Sequence, residues 1–287
     1  MLDKEEVSAT DDNAAHYGYW RALYKSFYSA PLYVDVAKRW KGWGIGYLLF
    51  CIVLASIPLS VRVMVNFNQF FEKQMLAPIN KLPVLYVSHG GVLFTKPMPY
   101  LIKNKDEQVI SIIDTTGAVE TITDVYPRLT VLVTKNTIYF RPPDFKQFLG
   151  VKNSLAGNKV FSYSFEPTYN GVFVAESWIR SSGINKFSVV GLILVFPAII
   201  LFFLIVYVCF MLVIAALGQF CAGVFAKVRL EFKDVCRLLV VASTPQIVFF
   251  FVVNTANLFL PGLGFYSLML VIIYFGYAVL SIKRLQA

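Results

Sequence analysis

One stretch of this chain has no charged side chain, and it decides the fold: 187-FSVVGLILVFPAIILFFLIVYVCFMLVIAALGQFCAGVFA-226. A bilayer has a hydrocarbon core roughly 30 Å thick, which about 20 apolar helical residues cross. The stretch is long enough to cross twice, but residues 203–210 in its middle contain no Gly, Pro, Asn or Asp to make a turn. Because an unsatisfied backbone group in lipid costs several kcal/mol, we expect one long transmembrane helix over 187–226 with a cytoplasmic extension. A double crossing remains the alternative.

The composition of the whole chain indicates the same class. Of its 287 residues, 57% are hydrophobic and 15% are charged, whereas charged residues make up about 25% of an average soluble domain. The net charge of +9 does not indicate nucleic-acid binding, because several basic residues stand at the ends of apolar runs, where they favour the cytoplasm. These residues are Lys38, Arg39, Lys41, Lys227, Arg229, Lys233, Arg237, Lys283 and Arg284. Both termini are therefore predicted to be cytoplasmic.

The predicted fold is an α-helical polytopic membrane protein with four transmembrane helices and an extracytoplasmic, mainly antiparallel β domain inserted between helices 1 and 2. In order, the predicted segments are a cytoplasmic tail with an interfacial amphipathic helix (1–42), helix 1 (43–66), the β domain (67–186), helix 2 (187–226), a basic cytoplasmic turn (227–237), helix 3 (238–258) and helix 4 (265–282). The acidic residues 1–14 are expected to be disordered. Because no cleavable signal precedes the first apolar run, helix 1 is expected to be its own signal anchor.

Aromatic residues recur at helical spacing before helix 1, and basic residues take the opposite face. The aromatic face consists of Tyr17, Trp20, Leu23, Tyr24, Phe27 and Tyr28. Such a helix fits the membrane interface, and it equally fits a helix packed against the cytoplasmic ends of the bundle. We expect Pro31 to end it.

The composition and turn pattern of segment 67–186 predict a β domain. Short runs rich in β-branched and aromatic residues are separated by turn signals such as Asn170-Gly171. The predicted strands are 82–87, 109–113, 119–122, 129–134, 137–140, 161–165 and 172–174, entered by a helical or extended stretch around 68–76. The four cysteines, Cys51, Cys209, Cys221 and Cys236, lie in or beside the spans, so no disulfide framework is predicted.

Helix 3 carries the only polar pattern inside the predicted spans. Pro245 lacks a backbone donor, so we expect a kink at which Ser243 or Thr244 bonds the freed carbonyl. Gln246, Asn254 and Asn257 fall within an arc of about 80° at 100° per residue and are predicted to share a face. Pro245, Gln246, Asn254 and Asn257 therefore form a candidate intramembrane polar face, which fits interhelical hydrogen bonding or a substrate path.

The chain has no pattern that indicates catalysis, a cofactor or a metal. Its two histidines, His16 and His89, fall in different predicted compartments, which argues against a histidine metal site. Ser88, His89 and Asp114 contain the residue types of a catalytic triad, but Ser88 and His89 are adjacent in a turn. No Asp, Glu or Lys lies inside a predicted span, where ion-coupled transport would need one. We therefore predict no catalytic, cofactor-binding or metal-binding residues.

Three motifs resemble a known family. They are 24-YKSFYS-29, 112-IIDTTG-117 and 233-KDVCRLLVVASTP-245. Together they resemble a bacterial family of integral membrane proteins of unknown function, some labelled maltodextrin-utilisation protein. The membrane part is similar to Yip-type proteins, whose Ala/Ser-x-Pro element after a basic stretch is matched by 241–246. The resemblance implies architecture and a bacterial inner membrane rather than an activity.

Two functional hypotheses follow. In the first, the protein is non-enzymatic and scaffolds, assembles or regulates a larger cell-envelope complex through its β domain. In the second, it is a component of a small-solute transport system, with sugar as one candidate solute. The expected partners are the lipid bilayer and other envelope membrane proteins; a homo-oligomer stays open and nucleic acid is excluded. An envelope enzyme ranks last, because no nucleophile or acid–base pair stands out.

Overall fold

The computed structural model describes residues 16–143, 159–226 and 230–286. The predicted tail 1–14 and residues 227–229 of the predicted basic turn lie outside them. The chain divides into a helical unit, Met1–Arg62 with Val195–Ala287, and a sheet unit, Val63–Leu194. Helices α3 and α6, defined below, each contain residues of both units.

The described helices range from a single turn to very long elements. They are α1 (Tyr19–Lys25), α2 (Ala30–Lys38), α3 (Ile45–Phe70), the π-helix π1 (Phe71–Leu76), α4 (Ala77–Asn80), α5 (Ala175–Ser181), α6 (Ile184–Cys221), the π-helix π2 (Ala222–Ala226), α7 (Phe232–Ala242), α8 (Thr244–Thr255) and α9 (Leu263–Gln286). No turn interrupts the uncharged stretch 187–226, because α6 runs unbroken to Cys221 and π2 continues to Ala226.

Three helical stretches in the described residues are long and apolar enough to cross a membrane. They are Ile45–Asn80, Ile184–Val224 and Leu263–Arg284. The pair α7 and α8, bent by 42° at Ser243, makes a fourth if it counts as one span. Several apolar helices of spanning length are thus confirmed, while their orientation in a membrane stays a prediction.

The first long helix continues beyond the predicted end at residue 66. Residues 67–77 contain neither Gly nor Pro, and Pro78 falls in the first turn of α4, where a missing N–H costs little. The chain therefore stays helical through π1 to Asn80. An ideal Cβ at Gly191 of α6 would lie 2.9 Å from Cζ of Phe67, so α3 and α6 approach closely at this level.

The aromatic segment forms two helices instead of one. The helix α1 ends at Lys25, so Pro31 does not end it as expected; Pro31 stands instead in the first turn of α2, because its fixed φ suits a helix start. In α2, Leu32 and Tyr33 are fully buried, whereas Trp20 and Tyr24 of α1 are more than half exposed. The segment thus combines a packed helix with a helix that leaves rings uncovered.

The described strands form two sheets. They are β1 (Leu85–Ser88), β2 (Gly91–Leu93), β3 (Tyr100–Lys103), β4 (Val109–Ile113), β5 (Val131–Val133), β6 (Thr137–Phe140), β7 (Phe161–Ser164) and β8 (Gly171–Phe173). One sheet has the order β2-β1-β8 and the other β3-β4-β5-β6-β7. Only the pairing of β4 with β5 is parallel among the described strand pairs, so the prediction of mainly antiparallel sheets is confirmed.

The five-stranded sheet packs on both faces. The predicted strand 119–122 is not a strand; its apolar residues Val119 and Ile122 instead cover one face beside Ile112 and Leu132. The opposite face carries Val131 and other residues that share a core with α4 and α5. Residues 119–122 look like a strand because three of the four, Val119, Thr121 and Ile122, are β-branched, yet such residues fit any half-buried surface and do not by themselves require a strand.

Candidate functional site: an apolar pocket in the sheet unit

A pocket of about 450 Å³ opens in the sheet unit, a size in the range of small-molecule sites. Its helical wall comes from Met75 and Leu76 of π1 and Ile79 of α4, with Leu82 just after α4. Its sheet wall comes from Val131, Ile138, Phe140, Phe161, Ser162 and Tyr163. The remaining residues are Phe165, Tyr169, Phe173, Trp178 and Ile184.

Strand register explains why the sheet wall is apolar. Val131 pairs with Phe140, which pairs in turn with Phe161, so the three side chains stand in one row on one face. Ile138 pairs with Tyr163 in the next row. The alternation of side chains places both rows on the pocket side of the sheet.

The helical wall depends on π1. A π-helix holds more residues per turn than an α-helix, and such segments are frequent at functional sites. In π1, Phe71 is buried while Met75 and Leu76 are partly exposed and line the pocket. Ser111 fixes α4 against the sheet, because its Oγ donates to the Pro78 carbonyl at 2.8 Å.

The chemistry of the pocket favours an apolar ligand. No charged side chain is found among the described residues that line it, and the polar groups are the indole N–H of Trp178 and the hydroxyls of Ser162, Tyr163 and Tyr169. Phe161 is 60% exposed and Tyr163 65% exposed, so large rings stand uncovered at its edge. Sites of this kind bind through apolar contact and use a few polar groups for orientation.

Ser88, His89 and Asp114 do not form a catalytic triad. Ser88 Oγ lies 3.1 Å from Nδ1 of His89, but the backbone N–H of His89 donates to Asn170 and its φ is +49° in the β1–β2 turn. Asp114 instead organises the loop after β4, accepting from the Thr116 N–H and hydroxyl and from the Val119 N–H. Desolvation by burial would raise the pKa of Asp114, but these hydrogen bonds together outweigh it and lower the pKa. An aspartate held in this way is structural.

The predicted polar face is only partly assembled. Gln246 is buried beside Pro245 and its Nε2 donates to the Tyr207 hydroxyl at 3.2 Å. Asn254 donates to Phe250 within its own helix. Asn257 lies beyond the end of α8 at φ +55°, so the face does not extend to it.

The expected kink is present, with a different bond from the one predicted. The chain bends by 42° between α7 and α8, and Pro245 starts the second helix. Ser243 Oγ donates to the Val240 carbonyl at 2.8 Å, not to the Val241 carbonyl that Pro245 leaves free. Thr244 Oγ1 instead lies 2.9 Å from the Tyr47 hydroxyl, which links α8 to α3.

Two arginines have roles that their positions in the sequence do not indicate. Arg62, near the end of predicted helix 1, donates to the carbonyls of Asn254 and Thr255 at 2.9 and 2.8 Å. Arg237, predicted to be part of an exposed basic turn, is buried and donates to the carbonyls of Ala37 and Trp40. Each arginine thus satisfies carbonyls at or next to a helix C-terminus, where a cation is favoured. Only long-range contacts reveal these roles.

The described residues contain no group of three or more His, Cys, Asp or Glu that could hold a metal ion. The structure therefore offers two polar clusters in the helical unit, around Tyr47 and Tyr207, and one open apolar pocket in the sheet unit. Of these, only the pocket has the volume and shape of a binding site.

Fold and pocket define a class: a helix-rich protein with three or four apolar helices of membrane-spanning length and a β-sheet unit that carries an apolar pocket. A family described as a protein of unknown function (DUF1189) matches residues 20–282. The chain belongs to this family, which agrees with the expectation of an uncharacterised family. Comparison with curated proteins finds no match, and neither does comparison with solved structures.

Proposed function

We propose that the protein is a multi-pass component of the bacterial cytoplasmic membrane with four transmembrane helices and both termini in the cytoplasm. Four apolar helical stretches, counting the bent pair, support this arrangement. The basic residues at their ends support the orientation. The sheet unit, inserted between the first and second spans, would then lie outside the cytoplasm.

Single cysteines test this topology in a background without the four native cysteines. Lys105, between β3 and β4, and Lys283, near the end of α9, are both exposed and suit substitution by Cys. An impermeant thiol reagent applied to intact cells should label Lys105→Cys and not Lys283→Cys. Labelling of both positions would indicate that the two sites lie on the same side of the membrane and would reject the arrangement.

Within this topology, we infer a non-enzymatic role: the protein scaffolds, assembles or regulates a larger envelope complex through the sheet unit. One observation carries the proposal, namely an open apolar pocket with exposed rings and no charged residue among its described lining. Exposed apolar patches rimmed by polar residues mark interaction sites. Other envelope membrane proteins are the expected partners.

Photocrosslinking in living cells tests this role. A photoreactive amino acid replaces Tyr163 at the pocket edge or, as a matched control, Tyr86 on β1, which is 58% exposed and does not line the pocket. We expect crosslinks from position 163 to defined envelope proteins, and loss of those crosslinks when Ile138→Phe fills the pocket. The same products from both positions would contradict the proposal.

A small-solute transport role is the second candidate, supported by one observation. Gln246 is buried at the bend between α7 and α8, and its Oε1 has no hydrogen-bond partner among the described residues. A solute hydroxyl would satisfy it. If this site lies on a path, Gln246→Leu should abolish uptake at unchanged abundance, while Asn257→Leu, outside the helix, should not. Unchanged uptake in Gln246→Leu would exclude a path through this site.

The resemblances to maltodextrin-utilisation proteins and to Yip-type proteins also remain proposals. The maltodextrin-utilisation label of some related proteins would make a sugar the first solute to test. The likeness to Yip-type proteins is supported by residues 241–246, where Pro245 starts α8 directly after the bend. It concerns architecture, and the vesicle-trafficking role of eukaryotic Yip-type proteins is not carried over.

A further inference from the structure

We propose that the pocket of the sheet unit takes one acyl chain of a bilayer lipid. The inference rests on the membrane topology of the proposed function and names a ligand for the same pocket. It is argued from the position of the pocket walls along the two long helices, from the surface that leads to it, and from the chemistry of its lining.

Two of the helical stretches that contribute to the pocket are membrane-spanning candidates. Met75 and Leu76 belong to the apolar stretch Ile45–Asn80, and Ile184 begins the stretch Ile184–Val224. The Phe67–Gly191 contact sets these helices side by side. At 1.5 Å per residue the pocket residues lie about 10–12 Å further along each helix. Since predicted helix 1 ends at residue 66 and predicted helix 2 begins at residue 187, the Phe67–Gly191 contact lies near the proposed outer boundary of the hydrocarbon. An acyl chain as long as one leaflet, about 15 Å, is therefore long enough to reach the pocket.

An apolar surface leads along α6 to the pocket. Phe187 is 66% exposed and follows Ile184 by three residues, so the two side chains are neighbours on the helix. Val190 and Leu194 continue the same side and are more than half exposed. A chain that leaves the bilayer along this surface stays in contact with apolar atoms.

The interior of the pocket suits an acyl chain better than a polypeptide segment, whereas rings at its edge such as Tyr163, which is 65% exposed, can also contact a partner protein. A lipid chain exchanges one apolar environment for another, so its transfer has little hydrophobic cost, and it also covers exposed rings such as Phe161. A polypeptide that enters the pocket brings backbone N–H and C=O groups that need partners. Three hydroxyls and one indole N–H are the polar side-chain groups that the described lining offers. The Tyr163 hydroxyl, near the pocket edge, is placed to bond an ester or headgroup oxygen.

Trp178 provides a probe inside the pocket. In the full-length protein, Trp20, Trp40 and Trp43 are replaced by Phe, and the protein is reconstituted in bilayer discs of phosphatidylcholine with bromine at the end of the acyl chain or without bromine. Bromine quenches tryptophan on contact. We expect brominated chains to remove most of the Trp178 emission. Ile138→Phe should restore the emission, because it fills the pocket. Val172→Phe is an exposed control on β8 outside the pocket, and it should leave the quenching unchanged.

Three outcomes are distinguishable. Quenching that Ile138→Phe relieves and Val172→Phe does not supports the acyl-chain site. Equal quenching in all variants means that Trp178 merely touches the bilayer, and absence of quenching means that no chain enters; either result overturns the inference. If pocket-dependent protein crosslinks persist in those cases, the proposed function stands with a polypeptide occupant.

A second measurement is independent of the tryptophan substitutions. The wild-type protein is reconstituted with a phospholipid that carries a diazirine on its acyl chain, irradiated and digested. Crosslinked peptides should include residues 161–169 or Trp178, and these crosslinks should be lost in Ile138→Phe. Crosslinks confined to α3, α6 and α9 surfaces would also overturn the inference.

Discussion

Replacement of Arg237 by Ala should destabilise the helical unit more than any nearby surface change. Its buried guanidinium donates to the carbonyls of Ala37 and Trp40 and to the carboxylate of Asp234. In Arg237→Ala the two carbonyls at the end of α2 lose a charged donor and Asp234 loses its counter-ion. Removing one partner of a buried ion pair costs about 3–5 kcal/mol, and the 25% exposure of the Asp234 side chain places this loss near the lower end, about 3 kcal/mol. At about 2–4 °C per kcal/mol, the melting temperature should fall by about 6–12 °C.

Two further variants separate charge from geometry. Arg237→Lys keeps a positive charge beside Asp234 but lacks the planar fork that reaches two carbonyls, so about 1–3 kcal/mol should be lost. Lys233→Ala is the matched control, because Lys233 is exposed on the same helix and surface changes stay within about 0.5 kcal/mol. The assay is thermal unfolding of the detergent-purified full chain. A loss in Arg237→Ala no larger than in Lys233→Ala would refute the reasoning.

Two other predictions concern the sheet unit and the helices that enter it. Gly191→Leu should lower the free energy of unfolding by about 1–3 kcal/mol, because the larger side chain overpacks against the Phe67 ring. Gly276→Leu is the control, because an added Cβ there meets nothing within 4 Å, and it should lower the free energy of unfolding less in the same assay. Equal losses would contradict the close approach of α3 and α6. Asp114, whose pKa is lowered, contributes stability that is present above its ordinary pKa of 3.8 and lost as pH falls through its lower folded pKa. The protection factors of the β4 and β5 amides, which correct for the intrinsic pH dependence of hydrogen exchange, should therefore fall in acid. Asp114→Asn, unlike the exposed-site control Asp106→Asn, should remove part of that fall.

Hydropathy and turn chemistry were sufficient to predict the long helix α6 and most strands of the larger sheet. These elements depend on local patterns: an apolar run without turn residues, and β-branched segments between turns. The parallel pairing of β4 with β5 depends instead on residues far apart in sequence, and so does the pocket. The missed strands β2 and β3 are short and lie near Gly and Pro residues, which obscure their pattern.

The candidate sites differ in how far the sequence indicates them. Gln246 was predicted as an intramembrane polar residue and is buried at the bend, whereas Asn257 was placed on the same face by extending the helix past its end at Thr255. Arg237 has the local pattern of a basic residue at a span end, and only the fold brings the α2 carbonyls to it. The burial of a cation therefore depends on contacts that no local pattern contains.

The π-helix π1 couples the rotation of two helices to the shape of the pocket. Conversion of π1 to α-helical hydrogen bonding would take one residue out of its turn. Everything on one side of π1 would then turn by about 100° relative to the other side. Met75 and Leu76 lie within this segment, and Ile79 lies just after it. A change of π1 from π-helical to α-helical hydrogen bonding would thus change which side chains of the helical wall face the pocket.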